Sequence, residues 1–223
     1  MCGDSTNKQN VDTLCDKRAD LLFTDPPYGM GKDFQNDNIE DMVTFHNSWM
    51  PNGKTDASLI WYDPKRLDQI IIPALKHRGR MCDYLHLYKP NDVAFPLHSW
   101  IRKSESMCIF GKPQFEDIHP FAHDTYLWNH TGKDKSFYHP SVKPLDVCVD
   151  VIKRIRAFLI LDLFGGSGST LIACEQTGRQ CYMMEIDPRY CQVIVDRWEK
   201  YTGQKAVKIG ENNVPANSNR EDN

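Results

Sequence analysis

Leu159-Ile160-Leu161-Asp162-Leu163-Phe164-Gly165-Gly166-Ser167-Gly168-Ser169-Thr170 decides the fold. Its apolar head stops abruptly at glycine, as a strand buried on both faces of a sheet does. Ser169 to Thr177 continues as a helix up to Gly178, a residue suited to the left-handed position after a helix end. Glycines let the backbone approach a ligand closely. The helix start adds N–H donors and the positive end of a dipole. The next apolar run, Cys181-Tyr182-Met183-Met184, ends in Glu185-Ile186-Asp187-Pro188. Glu185 thus stands at a strand end, where an acidic side chain takes both hydroxyls of a ribose. The unit reads as a nucleoside-cofactor site, with a plain structural turn as the competing reading. Leu171 occupies the place of the third glycine in a dinucleotide fingerprint, which argues against NAD.

Outward from this unit the pattern repeats. Ala19-Asp20-Leu21-Leu22-Phe23-Thr24 is another short apolar run, ending in Asp25-Pro26-Pro27-Tyr28-Gly29. Pro144 suits a first helical residue ahead of Leu145, Val149, Ile152 and Ile155. Pro188 to Tyr201 carries a further helical pattern that stops near Gly203, and Ile39 to Met50 and Lys65 to His77 are also helix candidates. Alternating strands and helices argue an α/β sheet wrapped by helices. The stretch from about 91 to 138, irregular and rich in aromatics and His, reads as an insertion, and 210–223 as a disordered tail. A single domain over 1–209 follows.

With 223 residues the chain can bury a full core without staples. A composition of 40% hydrophobic and 26% charged residues excludes fibrous and wholly disordered classes. No apolar run reaches the ~20 residues of a membrane span, and Met1-Cys2-Gly3-Asp4-Ser5 lacks a basic and apolar leader. The eight Cys form no CxxC pair, which suits free thiols in a reducing cytoplasm. His119 and His123, with Pro120 between them, do not make a zinc site, so no metal is expected. Net charge is −3, yet residues 51–144 hold 13 Lys+Arg against 10 Asp+Glu, a weak pointer to a polyanion facing the middle of the chain.

The Asp25-Pro26-Pro27-Tyr28 turn is more specific. Two prolines fix φ and remove two amide donors, so the turn offers carbonyls and a carboxylate with no competing donor. That set grips a planar –NH2 group, and Tyr28 can stack on the ring that bears it. A nucleobase with an exocyclic amine meets both demands.

These pieces together resemble the S-adenosylmethionine-dependent DNA amino-methyltransferases of the β group, in which the catalytic motif precedes the cofactor motif, and the compact phage and prophage type in particular. The matching residues are Gly3-Asp4-Ser5, Asp25-Pro26-Pro27-Tyr28, His139-Pro140-Ser141-Val142-Lys143-Pro144, Asp162 to Gly168, and Glu185, in the family's order. The resemblance implies a circularly permuted Rossmann-like sheet with helices on both faces and a small target-recognition insertion. It implies that Asp162, Phe164, Gly165, Gly166 and Gly168 wrap the cofactor and that Glu185 holds its ribose. Asp4 would reach the cofactor adenine, and Ser141 and Lys143 its methionine carboxylate. Asp25, Pro26, Pro27 and Tyr28 would hold the target base, with Asp25 also bordering the cofactor. His139 and Pro140 would position their loop. One departure stands out: only Met1 and Cys2 precede the Gly-Asp pair, so a sheet strand is missing or shortened.

The activity so implied is methylation of the N6 amine of an adenine flipped out of double-stranded DNA. The amine would donate to Asp25 and the Pro26 carbonyl, leaving its lone pair to attack the sulfonium methyl. Cytosine N4 is the alternative target, and a catalytically silent nucleic-acid-binding subunit the alternative of another class. Methylation at cytosine C5 needs a Pro-Cys pair, and no Cys here follows a proline. The resemblance further implies a cytoplasmic protein of a bacterial or phage-infected cell, restriction–modification as a setting, and, in many members, a homodimer.

Overall fold

The computed structural model describes residues 1–27, 42–49, 55–63, 81–90, 103–128 and 142–209. Twelve elements follow in chain order: α1 (Lys8–Leu14), β1 (Leu21–Thr24), α2 (Met42–Trp49), β2 (Ala57–Tyr62), β3 (Met81–Tyr88), β4 (Ser104–Gly111), β5 (Thr125–Leu127), α3 (Leu145–Lys153), β6 (Leu159–Asp162), α4 (Ser169–Thr177), β7 (Gln180–Met183) and α5 (Pro188–Thr202). The strands form one sheet in the order β5-β3-β4-β2-β1-β6-β7. β1 is parallel to both β2 and β6, and β6 to β7. β4 alone runs against its neighbours β2 and β3.

From β1 the chain moves to one side of the sheet, and from β6 to the other. The β1/β6 boundary is therefore a switch point, where a crevice opens beyond the carboxyl ends of two adjacent strands. The Asp-Pro-Pro turn follows β1 and the glycine loop follows β6, so both candidate motifs border that crevice.

Strand alternation sorts the core into two layers. Leu22 of β1, Ile60 of β2 and Leu161 of β6 pack with Val11 of α1 and with Met42 and Trp49 of α2. Leu21 and Phe23, with Trp61, Met107 and Ile160, pack on the other face against Val147, Val151 and Ile152 of α3 and Ala173 of α4. Each such large apolar side chain, fully buried, is worth about 1.5–3 kcal/mol. Helix ends obey local chemistry. The Asp187 carboxylate accepts from the Arg189 amide ahead of Pro188, and α4 runs from Gly168 to Gly178, both left-handed, at φ 80° and 67°.

Several expectations are met in place. Ser169–Thr177 has its expected bounds, α5 runs one residue past Tyr201, and the described part of 39–50 is helical. The described part of 91–138, the stretch read as an insertion, contributes β4 and β5, with β4 between β2 and β3. Glu105 and Ser106, adjacent in β4, point to opposite faces: Glu105 meets Lys143 and Lys89, and the Ser106 hydroxyl lies 2.9 Å from His86 Nδ1. The helix expected at 65–77, the residues Tyr28, His139, Pro140 and Ser141, and the tail 210–223 lie outside the described residues. Ahead of α1, Cys2 and Glu185 form one parallel bridge, in which the Gly3 amide donates to the Glu185 carbonyl at 2.9 Å. Cys15, Cys108, Cys148 and Cys174 are buried thiols outside any disulfide. No described helix is long and apolar enough to cross a membrane.

Candidate active site

The glycine loop is held by its own backbone. The Gly165 amide donates to the Met184 carbonyl and the Gly168 amide to the Gly165 carbonyl, both at 2.8 Å. A Cβ on Gly165 would meet the Met183 side chain at 2.8 Å, so close packing against β7 demands glycine there. Gly166, at φ 52°, turns its amide onto the Glu185 carboxylate at 2.8 Å. The other Glu185 oxygen accepts from the Asp187 amide at 2.9 Å. Burial raises the Glu185 pKa, and the amides that hold the anion oppose that shift. From α5, Arg197 donates to the Ser167 carbonyl at 2.9 Å. The result is a rigid cradle with a buried carboxylate under it, the donor and acceptor set a ribose and a backbone-bound chain require.

Asp4 reaches the same place through the Cys2–Glu185 bridge. Its carboxylate accepts from the Thr6 amide and hydroxyl, each at 2.8 Å, which fixes the turn at the start of α1. Phe164 leaves the loop towards α2, with its ring 5.0 Å from that of Trp49 and 5.9 Å from that of Phe45. Beside them His46 is fully buried; its Nδ1 accepts from Trp49 Nε1 at 3.2 Å, and burial lowers its pKa to about 4.

Asp162 joins the two motifs. It is buried, and its carboxylate accepts from the Thr24 hydroxyl at 2.7 Å and from the Phe164 amide at 3.1 Å. Burial pushes its pKa up to about 6 against the hydrogen bonds that favour the anion. Thr24 is the last residue of β1, so this bond ties the acceptor turn to the glycine loop across the switch point.

Across the crevice Pro26 is buried, while Asp25 and Pro27 are half-buried. Asp25 Oδ2 lies 2.7 Å from the Lys143 ammonium, and Glu105 Oε2 lies 3.3 Å from that ammonium on its other side. Glu105 also pairs with Lys89. The Lys143 ammonium stands 5.2 Å from the Trp61 ring centroid, and that of Lys89 5.1 Å from the Trp128 ring centroid. Burial works to lower the Lys143 pKa, but the charges of Asp25 and Glu105 outweigh it and hold the ammonium protonated. Burial likewise opposes ionisation of Glu105, and Lys143 and Lys89 overcome it, leaving the carboxyl at about 2. The carbonyl of Lys143 accepts from the Ser169 hydroxyl at 3.1 Å, so α4 braces this corner too.

The structure thus brings Asp4, Asp25, Pro26, Pro27, Lys143, Asp162, Phe164, Gly165, Gly166, Gly168 and Glu185 to one end of the sheet. Glu105, Lys89 and Trp61 were missed by motif reading. Alternation was the signal that could have found them. Trp61, Met107 and Leu87 share the face that carries α3, and Glu105 and Lys89 lie two residues from Met107 and Leu87.

The chain shares this fold with DNA methyltransferases. Its structure matches that of M1.HpyAVI, crystallised as a SAM complex, at a TM-score of 0.67 and 19% identity, covering 88% of this chain and 98% of that one. It matches the cytosine-N4-specific PvuII DNA methyltransferase at a TM-score of 0.70 and 15% identity, covering 91% and 89%. A family model described as DNA methylase, of the N6/N4 type, matches residues 100–196. No curated protein matches the chain in sequence.

Proposed function

We propose that the chain is an S-adenosylmethionine-dependent DNA methyltransferase that modifies the N6 amine of an adenine flipped out of double-stranded DNA. One observation carries the reading: a donor-free Asp-Pro-Pro turn and a glycine cradle over a buried carboxylate border one crevice, tied by the 2.7 Å Thr24–Asp162 bond. The cradle fits a nucleoside cofactor, because Glu185 offers acceptors to ribose hydroxyls and the loop amides offer donors. Gly165, Gly166, Gly168, Phe164 and Asp162 would form the wall of that site, Asp4 would border the adenine, and the loop of Ser141 and Lys143 the methionine carboxylate, with the Lys143 ammonium itself turned to Asp25 and Glu105. The cofactor, when bound, supplies an electrophilic methyl group.

The amine of adenine is a poor nucleophile, since its lone pair is shared with the ring. Accepting its N–H bonds at the Asp25 carboxylate and the Pro26 carbonyl favours a tetrahedral nitrogen with a localised pair. Tyr28 would stack on the extruded base, and Asp25 stands where charge develops. Positioning and electrostatics supply the rate. The N6/N4 family match and the likeness to the cytosine-N4-specific PvuII enzyme support an amine as the target, and the likeness to M1.HpyAVI, crystallised as a SAM complex, supports the cofactor.

Cytosine N4 is the second reading, favoured by the likeness to the PvuII enzyme; the acceptor logic is the same for either amine. Mixed-sequence DNA incubated with methyl-labelled cofactor, then digested to nucleosides and weighed, separates the two. N6-methyladenine is the expected product; N4-methylcytosine overturns the base assignment, and unlabelled DNA overturns the activity. Free buried thiols and a DNA substrate suit the cytoplasm of a bacterial or phage-infected cell, and sedimentation of the chain with and without duplex tests for a homodimer.

A further inference from the structure

Asp25 follows its strand into a turn whose next two residues offer it no amide donor. An aspartate at a turn is ordinarily fixed by the amides one and two residues on, but Pro26 and Pro27 have no N–H. Across the sheet its carboxylate pairs with the Lys143 ammonium at 2.7 Å. A lysine on a flexible four-carbon stem is itself a poor anchor unless its ammonium is held from more than one side. Glu105 holds that second side, 3.3 Å from the Lys143 ammonium, while pairing with Lys89 through its other oxygen. The signs alternate along Asp25, Lys143, Glu105 and Lys89. Lys143 and Lys89 are buried, and rings of Trp61 and Trp128 cover them. Glu105 belongs to β4, paired to Leu87 of β3, so a sheet strand rather than a loop backs the chain of charges.

We infer that Glu105 is a positioning residue for amine methylation: through Lys143 it fixes the Asp25 carboxylate where the amine of the base must donate. This rests on the function proposed above. Lys89 completes the clamp by occupying the remaining Glu105 oxygen, so that Glu105 cannot rotate away from Lys143.

The test compares the full chain with Glu105→Gln, which keeps the shape and removes the charge, and with the double variant Glu105→Gln/Lys89→Met, which removes one charge of each sign. Methyl transfer to DNA, affinity for S-adenosylhomocysteine and the thermal midpoint are measured for all three. In Glu105→Gln kcat is expected to fall about 10- to 100-fold, the scale of a misplaced catalytic group, with cofactor affinity kept. The double variant is expected to regain the thermal midpoint and to stay slow. Recovery of kcat in the double variant overturns the proposal, because charge balance alone would then explain Glu105. An active wild type matched by Glu105→Gln also overturns it. A wild type that methylates no DNA overturns the underlying function, and this inference with it.

Discussion

The two walls of the crevice are built by different means. The glycine wall is a backbone construction: Gly165 bonds to Met184, Gly168 to Gly165 and Gly166 to the Glu185 carboxylate. The acceptor wall is a side-chain construction, in which Asp25 is held by Lys143, Lys143 by Glu105, and Glu105 by Lys89. Backbone geometry is stiff and sensitive to a Cβ. A charge network is sensitive to the loss of a single partner, which strands its neighbour in a place poor in water. The first wall suits a ligand of constant shape, and the second a group whose charge must be met as it develops.

The contrast can be broken at four points. The largest effect is expected at Asp25. Asp25→Ala removes an acceptor that matters in the transition state and takes one carboxylate from Lys143, so methyl transfer should fall by about 3–4 kcal/mol in barrier, or two to three orders of magnitude in rate. Single-turnover kinetics with saturating cofactor checks this, and a wild-type rate would show that the acceptor wall is not the catalytic one. On the other wall Glu185→Ala should weaken cofactor binding by about 1–3 kcal/mol, the cost of unpaired polar groups. Calorimetry with S-adenosylhomocysteine measures it, and saturable NAD binding in its place would contradict the nucleoside assignment.

A smaller effect is expected from Gly168→Ala. Gly168 sits at φ 80° with Ile194 Cγ1 3.2 Å from the place of a Cβ, so alanine there should cost about 1–2 kcal/mol of stability, read by urea unfolding. An unchanged midpoint would mean that the loop is softer than its hydrogen bonds indicate.

The smallest effect is a slope. Asp162 titrates near 6 in the folded chain, above the ordinary 3.8 of an aspartate, because burial disfavours its anion. A carboxyl raised in this way supports folding below about pH 4, and that support is lost as pH rises through about 6. Glu105, held near 2, has the opposite sign: its support is present above its ordinary 4.5 and is lost as pH falls towards 2. Denaturant midpoints from pH 4 to 7 should show Asp162→Asn gaining on the wild type as pH rises. A constant difference between the two would place the Asp162 proton elsewhere.

The sequence by itself determined the elements and the loops whose chemistry is local. A glycine after an apolar run, Asp187 ahead of Pro188, and two prolines after Asp25 each constrain their own backbone, and such constraints are readable wherever they occur. Hence β1, β6, β7, α4 and α5 fall where the residues place them, and the glycine loop with Glu185 is legible because its partners are only 19 residues apart. Only the tertiary structure decided what crosses the sheet. Thr24 meets Asp162 over 138 residues of chain. β4 lies between β2 and β3 as the reversed strand among the described residues, within a stretch whose irregular composition reads as an insertion. Lys143 is legible in its motif, but that its ammonium lies between Asp25 and Glu105 depends on the order β4-β2-β1 and on α3 packing over that face. Such pairings are set by strand order and register, which arise from the burial of the whole core, and no short stretch of residues encodes them.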